Sequence, residues 1–215
     1  MHITVIAKEP VAGKVKTRLC PPCTPCEAAE VAAAALADTL DAVAAVAAVR
    51  GLRPTLLLDG RSPGWVPEVF DVVAQCTGGL GDRLAHGFDV LGPGVVVGMD
   101  TPAAIVHLPL AISAVMRSTD ALGLADDGGY WVIGLATVDR RIFDGIEMST
   151  AHTGRDQLRR LRALGRQVTM LPTARDLDDD ADLIAAAART APSEARLAQV
   201  TRRIARSRER ADSSD

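Results

Sequence analysis

The chain has 215 residues, 48% of them hydrophobic and 24% charged, which is enough for one sizeable core and short for two. Its 24 basic and 27 acidic residues leave a formal charge of −3, which argues against general nucleic-acid binding; only the Arg-rich end from Arg189 to Arg210 could be a local exception. The apolar run His2-Ala7 is too short for the core of a secretory signal and leads straight into Lys8 and Glu9, so the expectation is a cytoplasmic, enzyme-sized domain.

In chain order, Ile3-Ala7 reads as a buried first strand ending in a Pro- and Gly-bearing loop. All three lysines, Lys8, Lys14 and Lys16, fall in that loop, while the other 21 basic residues are arginine. Such a bias suggests a need for compact, flexible ammonium groups rather than planar guanidinium forks. The loop after the first strand is also where α/β folds bind phosphate. The alternative is a solvated basic turn.

Cys20, Cys23 and Cys26 follow as a C-x2-C-x2-C cluster, with Cys76 apart. Zinc would need a fourth ligand and an iron–sulfur centre normally a fourth thiolate; no histidine has a suitable local spacing, and Cys76 could join only through the fold. Pro21, Pro22 and Pro25 make the segment a stiff turn into a helix, so incidental, oxidation-sensitive thiols are the favoured reading.

The run from Ala28 to Val49 looks membranous in composition, but Glu30, Asp38 and Asp41 interrupt it. Leu36, Leu40, Val43 and Ala47 form a stripe at helical spacing, so we expect an amphipathic helix without stable membrane insertion. Thr55-Leu58 and Val69-Ala74 read as strands separated by the turn residues 60–64. Gly78-Leu91 gives a glycine turn and a helix, and Gly94-Met99 an apolar strand stopping at Asp100. A helix near Pro109 carries Ile112, Val115 and Met116, and an apolar stretch reaches Leu124. Tyr130-Leu135 is a strand, Thr153-Leu164 an Arg-rich helix, Val168-Leu171 a late strand and Asp180-Ala188 a helix. The Arg-rich end reads as an amphipathic helix fading into a disordered Ala211-Asp215.

This alternation implies an open, mainly parallel sheet covered on both faces. Such sheets bind ligands outside the carboxyl ends of their strands. The residues there are cations, glycines and carboxylates: Lys8, Gly13, Lys14, Lys16, Thr17 and Arg18 after the first strand, Gly78, Gly79, Gly81 and Arg83 after the third, and Asp100 after the fourth. Asp126-Asp127-Gly128-Gly129 and then Asp176 and Asp178 follow the later strands.

A phosphorylated substrate explains the mixture, because lysines and glycine-loop amides neutralise a diphosphate while a divalent ion bridges phosphate to carboxylate. Mg²⁺ or Mn²⁺ takes only one or two protein carboxylates, and Asp100 and Asp178 are the candidates. Asp100 could instead cap the helix that follows Thr101-Pro102, and Asp178 could cap the helix after it. Asp127 is a candidate general base or acceptor-orienting group, with a tight turn as the other reading of its segment. His152 could be a ligand or base, but Ser149, Thr150 and Thr153 around it suit a helix cap. Tyr130 and Trp131 read as core and rim.

Taken together, KEPVAGKVKTRL at 8–19, GGLGDRL at 78–84, GMDTP at 98–102, ADDGGYWVIGL at 125–135 and DLDDDADL at 176–183 resemble a family. It is the bacterial GT-A-like glycosyltransferase family of the nucleotide-diphospho-sugar transferase superfamily, the group that includes glycosyltransferases linked to arsenosugar biosynthesis. The resemblance spans about Ile3 to Ala187 and implies a single-domain three-layer α/β sandwich with a mainly parallel mixed sheet over residues 1–190, followed by a C-terminal Arg-rich helix and tail over 191–215.

It further implies that Lys8, Gly13, Lys16, Thr17 and Arg18 cradle nucleotide phosphates, that Gly79, Gly81 and Arg83 lie near the nucleoside or sugar, and that Asp100 and Asp178 hold Mg²⁺ or Mn²⁺. Met99, Leu124, Asp126, Met148 and Asp179-Asp180 depart from the family pattern, and the change at 148 bears on the acceptor pocket. The expectation is a metal-dependent glycosyltransferase using a nucleoside-diphosphate sugar and a small-molecule acceptor, with Asp127 taking the acceptor proton. Two alternatives stand beside it: a guanylyl- or cytidylyltransferase-like nucleotidyltransferase acting on a phosphorylated small molecule, and a nucleotide-binding module that has lost turnover.

Overall fold

A computed structural model of the chain describes residues 1–175, 180–188 and 195–212. Among them are seven strands: β1 His2–Lys8, β2 Thr55–Asp59, β3 Asp71–Ala74, β4 Gly94–Gly98, β5 Asp120–Ala125, β6 Tyr130–Leu135 and β7 Val168–Ala174. Six α-helices accompany them: α1 Pro25–Val49, α2 Leu80–Leu91, α3 Leu108–Met116, α4 Thr153–Ala163, α5 Asp180–Ala187 and α6 Ala195–Asp212. The strands form one sheet in the order β3-β2-β1-β4-β6-β5-β7. β6 pairs antiparallel with both β4 and β5, and the other pairings are parallel. The expected mainly parallel mixed α/β sheet is therefore the observed one.

Alternation along each strand separates two apolar faces. Ile3, Val5, Leu56, Leu58, Val95 and Val97 pack with the α1 stripe Leu36, Leu40 and Val43 and with Leu108 and Ile112 of α3. Ile6 and Val96 turn the other way, toward Leu84 and Phe88 of α2 and Leu161 of α4. A further apolar cluster joins the outer side of α1, at Ala28, Val31 and Ala35, to Leu183 of α5 and to Leu197 and Ile204 of α6. Helix α1 is long and apolar enough to cross a membrane, yet 56% of its most apolar window is buried within this fold. That double burial explains its alanine-rich composition: small side chains let α1 sit between the sheet and α5–α6.

The turn before α1 forms a capping box. Thr24 Oγ1 accepts from Glu27 N at 3.2 Å, Glu27 Oε2 accepts from Thr24 N at 2.8 Å, and Pro25 sits in the first helical turn. Helix α6 is held by ions as well as by apolar contact: the buried Asp38 carboxylate accepts from Leu197 N at 2.9 Å and from Arg196 Nη1 at 3.1 Å. The Arg-rich terminal helix is thus docked on α1 from Ala195 onward, while the end expected to be disordered lies partly outside the described residues.

Two local expectations change. Met116, grouped with Ile112 and Val115 on the helix near Pro109, is 68% exposed because it ends the helix, whereas Ile112 and Val115 are buried. The third strand begins at Asp71 rather than Val69, since Phe70 is taken into a turn by its N–H bond to Pro67 O.

The cysteines are all free. Burial pushes the Cys23 thiol above its ordinary range, although Arg208 Nη2 lies 2.9 Å from Sγ and works against that shift. No group of three or more His, Cys, Asp or Glu able to hold a metal occurs among the described residues.

Candidate active site

Because β6 runs against its neighbours, its first residue, Tyr130, lies at the same edge of the sheet as the carboxyl ends of β1, β4 and β5. A cleft of about 440 Å³ opens there. Lys8, Lys16, Thr17, Arg18, Arg83, Asp100 and Asp127 all line it, so seven residues singled out from sequence meet in one place. Gly13 is not in the lining but permits the loop its turn at φ +76°, and Gly79 and Gly81 line an adjoining hollow. Asp178 and its neighbour Asp176 lie outside the described residues.

The basic wall is the loop after β1. Lys8 and Lys14 are exposed, face the cleft and form no ion pair among the described residues. Arg83 is more constrained. Its Nε donates to Gly78 O at 3.0 Å, and its Nη1 donates to Asp59 Oδ2 at 2.8 Å and Gln75 Oε1 at 3.3 Å. Gln75 in turn donates Nε2 to Ala7 O at 2.7 Å and Leu57 O at 2.9 Å, tying the ends of three neighbouring strands together.

Opposite the lysines stands Asp100. Its backbone is anchored through Met99, whose carbonyl accepts from Thr39 Oγ1 of α1 at 3.2 Å and whose sulfur accepts from Lys8 N at 3.4 Å. Thr101, not Asp100, precedes the 3-10 turn Pro102–His107, and no side-chain cap bond forms there. The carboxylate instead meets Lys16: Nζ lies 2.9 Å from Oδ2, with the lysine side chain only 7% exposed. Asp100 Oδ1 is buried and accepts no hydrogen bond. A carboxylate with one oxygen paired and the other buried and unsatisfied, in the lining of a cleft that also carries Lys8, Lys14 and Arg18, suits a hard divalent cation that completes its shell with phosphate and water.

Asp127 and Ser149 form the third wall. Asp127 Oδ1 accepts from Gly129 N at 2.7 Å, which closes the turn between β5 and β6 and holds the carboxylate at the cleft. Gly128 is required at φ +91°, and a Cβ there would overlap the Ala151 carbonyl. The turn is therefore pressed against the segment that leads into α4, where Gly154 N donates to Gly128 O at 2.8 Å. His152 belongs to that capping turn: Thr150 N donates to Thr153 Oγ1 at 3.0 Å and Thr153 Oγ1 to Glu147 O at 2.9 Å. Trp131 is core, with Nε1 donating to Pro172 O at 3.1 Å, and burial holds the Tyr130 phenol above its ordinary range beside Gln157 and Met148.

A second hollow of about 940 Å³ joins the cleft through Leu80 and Ser149. Gly79 and Gly81 at the start of α2, Asp82, Asp144 and Met148 contribute to it. A Cβ on Gly81 would come within 3.3 Å of the Met148 methyl, so the glycine keeps this side of the hollow open.

Sequence reasoning did not single out Gln75 or Ser149 as site residues, yet both line the cleft. Gln75 follows β3 at the carboxyl edge, the same positional signal that marked Asp100. Ser149 carried no such signal, because its place depends on a left-handed backbone, φ 62°, between two elements distant from β1.

Comparison with known proteins bears on family and fold. The profile of the family described as "Uncharacterized protein conserved in bacteria (DUF2064)" matches residues 28–150, more than half of the chain. Among solved structures, a crystal structure from Desulfovibrio desulfuricans G20 described as a "putative nucleotide-diphospho-sugar transferase" has the same fold. It superposes with a TM-score of 0.80 at 24% identity, covering 94% of this chain and 98% of that one. No match is found among curated proteins.

Proposed function

The chain belongs to the DUF2064 family of bacterial proteins, and we propose that it is a metal-dependent glycosyltransferase that uses a nucleoside-diphosphate sugar. The observation that carries this reading is the convergence of Lys8, Lys14, Lys16 and Arg18 with Asp100 and Asp127 on one cleft, with a second hollow opening beside Leu80 and Ser149. The shared fold with the structure from Desulfovibrio desulfuricans supports it.

In this reading the diphosphate lies against the basic loop. Lys8, Lys14 and Arg18 offset the charge of the departing nucleoside diphosphate, and Thr17 supplies a hydroxyl donor. Asp100 and Asp178 would hold Mg²⁺ or Mn²⁺, which supplies further positive charge to the phosphates when bound. The acceptor enters the larger hollow, where Asp82 and Asp144 provide acceptors for hydroxyl or amine groups and Met148 an apolar surface. Asp127, fixed by Gly129 N, takes the proton of the attacking acceptor group. Orientation of the two substrates and stabilisation of the leaving group account for the rate.

The K-x-K-T-R-L loop, all four of whose charged or hydroxyl-bearing members line the cleft, favours one rival, a nucleotidyltransferase acting on a phosphorylated small molecule. Product analysis separates the two. With Mn²⁺ and a panel of sugar nucleotides and nucleoside triphosphates, the proposal expects nucleoside diphosphate release from a sugar nucleotide. Pyrophosphate release from a triphosphate would favour the rival.

A further inference from the structure

The contact between Lys16 and Asp100 joins the two walls of the cleft directly. The ammonium lies 2.9 Å from Oδ2 and is nearly excluded from solvent, while Oδ1 of the same carboxylate is buried and accepts nothing. Lys16 reaches this position from a left-handed backbone, φ 48° and ψ 37°, at the head of the 3-10 turn Thr17–Leu19. Only Ser118 and Ser149 share that conformation among the described non-glycine residues. A side chain that merely had to reach a phosphate could do so from an ordinary backbone, so the geometry singles out the contact with Asp100.

We propose that Lys16 is a displaceable stand-in for the divalent cation: it neutralises Asp100 until a metal and a diphosphate arrive together, and then transfers its charge to the diphosphate. The inference rests on the functional reading above and adds a binding order to it. A metal arriving alone at Asp100 must compete with an ammonium already 2.9 Å from one oxygen, and like charges in a partly desolvated site repel strongly. A diphosphate arriving alone must draw Lys16 away and leave the half-buried Asp100 carboxylate, one of whose oxygens is excluded from solvent, without that counter-charge. When both bind, Lys16 gains an anionic partner as Asp100 gains the metal, and neither charge is left uncompensated. The two ligands therefore bind with positive coupling, and by linkage each raises the affinity of the other by the same factor.

An ammonium suits this role better than a guanidinium. It is a compact charge on a flexible four-carbon stem and can move between two acceptors without the fixed fork that arginine would impose. This gives the lysine bias of the loop a specific reason at position 16, distinct from the exposed Lys8 and Lys14, which have no ion pair to break among the described residues.

The test is Mn²⁺ binding, read by calorimetry and by the loss of the free-ion electron paramagnetic resonance signal, in the presence and absence of UDP, GDP, CDP, ADP and dTDP. In the native chain, at least one nucleoside diphosphate should tighten Mn²⁺ binding about tenfold or more, within the usual range of coupling between sites. Lys16→Met should bind Mn²⁺ alone about tenfold more tightly than the native chain and lose most of the coupling. Adding Asp100→Asn to Lys16→Met should abolish that gain.

Lys16→Gln, which also removes the charge, serves as the second variant if the apolar side chain disturbs the loop. Native Mn²⁺–nucleotide binding together with an unchanged or weaker Mn²⁺ affinity in Lys16→Met and Lys16→Gln would overturn the stand-in role while leaving the functional reading intact. No Mn²⁺ uptake by any form, with or without nucleotide, would overturn both.

Discussion

Arg83 Nη1 lies 2.8 Å from Asp59 Oδ2, linking the first turn of α2 to the carboxyl end of β2 beside the cleft. The same guanidinium reaches Gly78 O and Gln75 Oε1, so it sets the position of the glycine turn that separates cleft from hollow. Arg83→Lys keeps the charge but cannot reach three acceptors in one plane. We expect a loss of about 1 kcal/mol in urea unfolding, the scale of one or two net hydrogen bonds. Nucleotide affinity, measured by thermal-shift titration, should fall by about fivefold if the turn also shapes the binding wall. Unchanged values in both measurements would remove Arg83 from the account.

His2 gives the fold a pH dependence. Burial lowers its ring from 6.5 to about 4, against the opposing effect of the bond between Nε2 and Gly92 O, so the folded chain carries it neutral. Between those values the unfolded chain binds the proton more readily, and stability is present above pH 6.5 and is lost as pH falls toward 4. The loss should approach about 3 kcal/mol, the linkage equivalent of the shift. Urea unfolding at pH 7 and 4.5 checks this, with His2→Asn showing the smaller difference between the two pH values.

The buried Asp120 pairs with the half-buried Arg166, with Arg166 Nε 2.7 Å from Oδ2 and Nη2 2.9 Å from Oδ1, while Ala136 N donates to Oδ1 at 2.9 Å. The bonds to Asp120 raise the arginine above its ordinary range. Arg166→Met leaves a carboxylate that is 1% exposed without its counter-charge and should cost about 3 kcal/mol. Combining it with Asp120→Asn, which still accepts from Ala136 N, should restore part of that loss. A double variant less stable than Arg166→Met would contradict this reading.

Gly128→Ala tests the turn that carries Asp127. The added methyl meets the Ala151 carbonyl at a backbone angle that L residues avoid. We expect destabilisation of about 3 kcal/mol and transferase activity reduced further than the unfolded fraction explains, because Asp127 moves with the turn. Full activity in the folded fraction would exclude Asp127 as the proton acceptor.

Much of this arrangement is legible in the amino-acid sequence for a physical reason. Strands buried on both faces read as apolar runs, and the residues just past them, such as Lys8, Asp100 and Asp127, fall at one edge by the rule for parallel sheets. The direction of β6 is not legible, since an apolar run has no polarity of its own. The double burial of α1 is equally hidden: Leu36 and Leu40 mark one stripe, but Ala28 and Ala35 are too small to announce a second. The Asp120–Arg166 pair, 46 positions apart, and the contact of Lys16 with Asp100 are properties of the folded chain. Met148, marked in the sequence as a departure from the family pattern, lines the second hollow.

The most direct test of the diphosphate and metal site is a thermal-shift panel of sugar nucleotides, with and without Mn²⁺, on the native chain and Asp100→Asn. At ligand concentrations near a hundred times Kd, binding adds about 2.7 kcal/mol, which raises Tm by roughly 5 °C or more for a chain of this size. We expect such a shift with at least one sugar nucleotide, dependent on Mn²⁺ and lost in Asp100→Asn. No Mn²⁺-dependent stabilisation by any nucleotide, or an equal shift in Asp100→Asn, would contradict it.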